Sequence, residues 1–211
     1  HLQDHLGSGY KFGVTHATLN ERLHSWPAKL LSGLQYLLTG SGPLSLSINH
    51  GGGFFRTSPD RPRPNMQLYF QAMSTLTGRN DVERPVLNPD PFRAIGLGLS
   101  ACRPTSRGHL ELRSADPFDA PAIHPNSFGT DHDLQEMLEA MKFLRHLAAQ
   151  PALAEVITGE LRPGPEVGSD DEMIAYIRES AGTVYHPSCT CRMGSDPATS
   201  VVDPRLRVHG I

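Results

Sequence analysis

Met66-Gln67-Leu68-Tyr69-Phe70-Gln71-Ala72 is the stretch that decides how the chain folds. Its apolar residues Met66, Leu68, Phe70 and Ala72 alternate with Gln67, Tyr69 and Gln71. A period of two puts the first set on one face of a strand and the second set on the other. The spacing predicts a half-buried strand whose polar face looks onto something wet. Further strands are predicted over 94–101 and over 108–113, where Leu110 and Leu112 alternate with His109, Glu111 and Arg113.

The flanking segments change period. Residues 27–39 open with Pro27 and carry Leu30, Leu31, Leu34, Leu37 and Leu38 at helical spacing before Gly40, which predicts a helix with a buried apolar face. Leu134, Met137, Leu138, Met141, Leu144 and Leu147 follow the 3.6-residue period until Pro151, predicting the longest helix. Ser169 with Glu172 three residues on has the capping-box pattern, and Asp170 and Asp171 sit at the positive end of a helix predicted to reach about Ser180. Strands that precede helices without strict alternation indicate an α+β layer rather than a doubly wound parallel sheet.

Composition narrows the function classes. The 211 residues carry a net charge of −3, with no run of Lys and Arg to meet a phosphate backbone, so nucleic acid and anionic membranes are poor partners. No apolar run approaches the ~20 residues of a membrane span, and His1-Leu2-Gln3-Asp4-His5 lacks the features of a signal peptide. Three cysteines, at 102, 189 and 191, are too few for a disulfide framework, which together with the missing leader predicts a reducing, cytoplasmic setting. A start at His1 rather than Met reads as a segment cut from a longer protein.

Two motifs are set aside on physical grounds. Gly96-Leu97-Gly98-Leu99-Ser100-Ala101 spells GxGxxA, but a dinucleotide turn must lead into a helix, and this run ends in Arg103-Pro104. His186, Cys189 and Cys191 offer zinc ligands, yet no second ligand pair follows, so no metal site is assigned.

Thr183-Val-Tyr-His-Pro-Ser-Cys-Thr-Cys-Arg-Met-Gly194, followed by Val201-Val-Asp-Pro-Arg-Leu-Arg-Val-His-Gly210, resembles the C-terminal part of the glucose/methanol/choline flavin oxidoreductases. Their signature is similar to Tyr-His-Pro-x-Gly-Thr-Cys-Arg-Met-Gly and then Val-Asp-Pro-x-Leu-Arg-Val-His-Gly. His1-Leu-Gln-Asp-His-Leu6 resembles the family's Asn-Leu-Gln-Asp-His element, and Ser106-Arg107-Gly108 through Pro125-Asn126 its Ser-Arg-Gly strand pair.

The resemblance implies an antiparallel-sheet substrate-binding domain with packed helices over 16–181. It implies short pieces of an FAD-binding domain at 1–15, and a return segment with the catalytic motif at 182–211. The implied cofactor is FAD, the implied partner a small-molecule alcohol, and the implied reaction oxidation of the alcohol to an aldehyde or ketone. His186 takes the role of base, removing the hydroxyl proton as the alcohol carbon hands hydride to the flavin. Imidazole suits that role because it titrates near neutral pH. The Gly-rich turn that holds the ADP half of FAD, and a last segment with a second active-site residue, are absent from these residues. The chain alone is therefore expected to be inactive, and the alternative reading is a non-catalytic fragment or binding module.

Tyr185, Tyr69, Gln67 and Gln71 are the candidate substrate-pocket residues. Two positions depart from the family pattern. Cys189 stands where the motif has Gly. Tyr69 aligns with a His of the choline-oxidising branch, while Gly51 falls near the Glu that would pair with trimethylammonium, so a neutral alcohol is expected in preference to choline.

Overall fold

Leu6–Val14 (β1), a strand rich in glycine, is the axis of the sheet in the computed structural model, which describes residues 1–76 and 89–211. Around it lie β2 (Gly51–Phe55), β3 (Met66–Gln71), β4 (Ala94–Ala101), β7 (Ile157–Arg162) and β8 (Gly182–Thr183). The order is β2-β3-β4-β1-β7, with β8 also on β1, and every pairing is antiparallel. The expected α+β class with an antiparallel sheet is the fold observed.

The two faces of this sheet differ in chemistry. Cross-strand partners share a face, so Tyr10, Leu97 and Phe70 lie together, as do Lys11, Gly96 and Gln71. The first face is apolar and is covered by α3 (Asp131–Ala148), whose Leu134, Met137, Leu138, Met141 and Leu144 are buried as the periodicity predicts. Met173 and Ile177 of α5 (Asp170–Ser180) complete the core, and the Ser169/Glu172 capping box forms as expected. At its margin Tyr10 stacks against Phe12 and lies 5.3 Å beneath the Arg145 guanidinium, which holds Glu160 through two bonds of 3.0 and 2.8 Å. Burial pushes the Tyr10 phenol well above its ordinary value, with Arg145 opposing. The second face carries Gln67, Tyr69 and Gln71 opposite Ser100, Gly98 and Gly96, and no helix covers it among the described residues.

Two expectations are corrected. The helix predicted over 27–39 exists as α2 (Trp26–Thr39), but its apolar stripe is not buried: Leu30 is 75% exposed and Leu37 83%. α2 packs through its small and polar side instead, with Ser32 buried and its hydroxyl donating to Arg22 O at 3.2 Å beside α1 (Leu19–Leu23). The strand predicted over 108–113 is shorter. As β5 (His109–Glu111) it pairs with β6 (Ala122–His124) in a separate two-stranded sheet, and Leu112 is 86% exposed. The chain is diverted here because Gly108 bridges Leu2 through bonds of 2.7 and 2.9 Å, and a Cβ at Gly108 would lie 2.2 Å from His124 O. β1 pairs with β4 from Gly7 to Gly13.

Asp133, in the first turn of α3, locks the Ser106-Arg107-Gly108 corner to that helix. Its carboxylate accepts from the backbone and hydroxyl of both Thr105 and Ser106 at 2.5–2.8 Å. Burial works to raise this carboxyl, and the hydrogen bonds from Ser106 and Thr105 outweigh it and hold it below the usual carboxylate range.

Candidate active site

The ends of the chain meet to build the site. Gln3 and Ser188 exchange backbone bonds of 3.0 and 2.8 Å, and Val184 N–H donates to His5 O at 3.1 Å. Asp4 then reaches across: Oδ1 accepts the His186 backbone N–H at 3.0 Å and Oδ2 accepts the Thr183 hydroxyl. The Thr183 hydroxyl oxygen in turn accepts the Tyr185 N–H at 2.9 Å. The loop turns tightly, with Tyr185 at φ 61 and Cys189 at φ 72, both in the left-handed region. The His186 ring meets the His5 ring edge-on at 5.7 Å, and His5 is itself fixed through Nδ1 to Ala101 O.

His186 stands on the wall of a cleft of about 430 Å³ that runs along the open face of the sheet and through the gap between β7 and β8. Gly7, Gly9 and Gly98 line it, Tyr69 and Gln71 stand on β3, and Lys11 and Arg162 contribute the positive charge. Glycine at 96 has a specific use, because a Cβ there would fall 2.6 Å from Lys11 Nζ and 2.8 Å from Gln71 Oε1. Those two atoms hydrogen-bond at 3.0 Å, and Gln71 Nε2 donates onward to Asn49 at 3.1 Å. The Tyr69 hydroxyl lies 2.9 Å from both Gln67 Oε1 and Ser100 Oγ.

The structure thus brings His186, Tyr69 and Gln71 to one cleft. Gln67 reaches it only through the Tyr69 hydroxyl, and Tyr185, 69% exposed, lines a different and more apolar cavity of about 740 Å³ with Leu110, Ile123 and Phe128. His186, Cys189 and Cys191 do not converge as a ligand set among the described residues. GxGxxA lies inside β4, and the next element is β5 rather than a helix. Sequence reasoning missed Asp4 as the residue that holds the His186 loop, and it missed Lys11 and Arg162. Asp4 sat in the quoted Leu-Gln-Asp-His element, but only the fold sets it against residue 186. No carboxylate lines the cleft among the described residues.

Beyond the loop, 192–209 folds on itself through bridges from Val202 to Met193 and Val208. His209 Nε2 lies 3.0 Å from Gly194 O and 3.1 Å from Ser200 Oγ.

The GMC oxidoreductase family profile matches residues 104–211. The whole chain is 39% identical to an alcohol dehydrogenase [acceptor] from Pseudomonas putida, covering 37% of that protein, and 37% identical to the mitochondrial choline dehydrogenase of Homo sapiens, covering 34% of it. It spans about a third of the length of these curated relatives. Among solved structures, all of this chain superposes on 40% of a formate oxidase variant from Aspergillus oryzae RIB40, studied for its FAD modification, with a TM-score of 0.86 and 25% identity. An FAD-dependent oxidoreductase from Chaetomium thermophilum shares the fold at a TM-score of 0.79 and 16% identity, all of this chain covering 41% of it.

Proposed function

The chain belongs to the GMC oxidoreductase family, and from that premise we propose that it forms the substrate side of an FAD-dependent enzyme that oxidises an alcohol to an aldehyde or ketone. The observation that carries this reading is the placement of His186 on the glycine-lined cleft, its backbone tied to Asp4.

The described residues suit the reacting end of FAD better than its phosphate end. Among the described residues no Gly-rich turn leads from a strand into a helix N-terminus for the pyrophosphate. The open sheet face does offer a floor with little side-chain relief, since Gly7, Gly9 and Gly98 line the cleft. When bound, FAD supplies the hydride acceptor. The remaining work falls to this chain's own groups. A ring nitrogen of His186 accepts the alcohol proton, which raises electron density on oxygen and weakens the adjacent C–H bond. Asp4 holds the His186 backbone in place by accepting its N–H. Tyr69 and Gln71 are placed to hydrogen-bond the alcohol's substituents.

Substrate charge follows from the lining. Among the described residues Lys11 and Arg162 are its ionic groups, and Gly51 on β2 brings no side chain where an acid would balance a quaternary ammonium. A neutral alcohol fits this cleft better than choline. Anaerobic mixing of the full-length flavoprotein with aliphatic, benzylic and sugar alcohols and with choline tests both points. Flavin bleaching by a neutral alcohol, with a higher kcat/KM than for choline, is expected. Bleaching by none of the alcohols would contradict the proposed reaction, and choline ranking first would contradict the substrate class.

A further inference from the structure

On the outer face of the β5–β6 hairpin, away from the cleft, three ligating side chains converge. His109 and His124 are direct cross-strand partners, and Glu111, two residues along β5, projects on the same face. The imidazole rings stack with centroids 4.6 Å apart, and both Nε2 atoms turn toward the Glu111 carboxylate, at 3.1 Å from His109 and 4.0 Å from His124. One potential ligand atom from each residue lies within 4.8 Å of the other two, which among the described residues is true of this set alone.

We propose that His109, Glu111 and His124 form a binding site for a divalent transition-metal ion of the Zn²⁺ or Cu²⁺ class, which staples the hairpin. Two imidazoles and one carboxylate match the preferences of those ions, whereas Ca²⁺ and Mg²⁺ favour sets made of oxygen. Ligand bonds of about 2.0–2.2 Å need the three atoms to draw in around the ion. All three side chains are more than half exposed, so small rotations suffice and water completes the shell.

The hairpin stands to gain from such a clasp. Each strand has three residues, and residues 112–121 join them, so pairing by itself is weak. Its other face presents the cross-strand pair Leu110 and Ile123 to the 740 Å³ cavity. A metal outside therefore pins a wall of the apolar chamber inside.

Zinc chloride titrated calorimetrically into the EDTA-stripped full-length protein at pH 7.5 tests this, with copper(II) electron paramagnetic resonance as the second readout. The expected result is a saturable event that weakens at least about tenfold in His109→Ala and again in His124→Ala, less in Glu111→Gln, and is unchanged in His186→Ala. Copper should show coupling to two nitrogens that falls to one in either histidine variant, while circular dichroism stays native because both residues are exposed. No saturable binding below ~1 mM, loss in only one of the two histidine variants, or equal binding in all variants would overturn the site.

Discussion

The Asp4 carboxylate receives the backbone N–H of His186 at 3.0 Å, across 182 positions of sequence. One side chain thus fixes the entry of the loop that carries the proposed base, and its second oxygen, taking the Thr183 hydroxyl, fixes the strand before it. Asp4→Ala is expected to lower the rate of flavin reduction about tenfold, the equivalent of ~1.4 kcal/mol of lost positioning, with KM changed less. Asp4→Asn, which keeps one acceptor oxygen, should fall between. Stopped-flow traces that match wild type for Asp4→Ala would remove Asp4 from the site's support.

Cys189 holds φ at 72 where the resembling motif carries Gly. A left-handed conformation costs a side-chain-bearing residue about 1–2 kcal/mol, while Gly gives up roughly 0.5–1 kcal/mol in chain entropy. Cys189→Gly should therefore leave stability unchanged or raise it by up to about 1.5 kcal/mol, with activity kept. Denaturant melts check this, and a clear loss of stability would show that the thiol makes contacts that outweigh the strain.

Acid should loosen the Ser106 corner. The Asp133 carboxyl is held lower in the folded chain than in the unfolded one, so its contribution is complete above the unfolded value near 4. That contribution is lost as pH falls through the folded value. Asp133→Asn should cost about 2–4 kcal/mol at neutral pH and flatten the fall in stability below pH 4. A variant with the same acid profile as wild type would contradict this assignment.

The isolated 211-residue chain should not retain FAD, since no turn for the pyrophosphate exists among its described residues. Flavin absorbance after heat release measures it directly, and stoichiometric flavin would overturn the expectation.

Much of this layout was legible from periodicity. Alternation at 66–72 correctly divides β3 into a core face and a wet face. The 3.6 spacing locates α3, and Ser169 with Glu172 locates the start of α5. β1 was passed over although Tyr10, Phe12 and Val14 alternate with Lys11 and Gly13, because glycine at 7, 9 and 13 is a poor strand former and leaves Lys11 alone to mark the open face. α2 shows the opposite failure. Leu30, Leu34 and Leu37 do make one stripe, but periodicity reports that a stripe exists and not what covers it. His109 and His124 become neighbours only through strand register, which the sequence does not display.

The central claim is that His186 takes the alcohol proton. Single-turnover reduction of the flavin by a primary alcohol, followed anaerobically in full-length wild type and His186→Ala, tests it most directly. The account predicts a loss of about 10²-fold or more in the limiting rate with substrate affinity changed far less. An unchanged limiting rate in His186→Ala would contradict it.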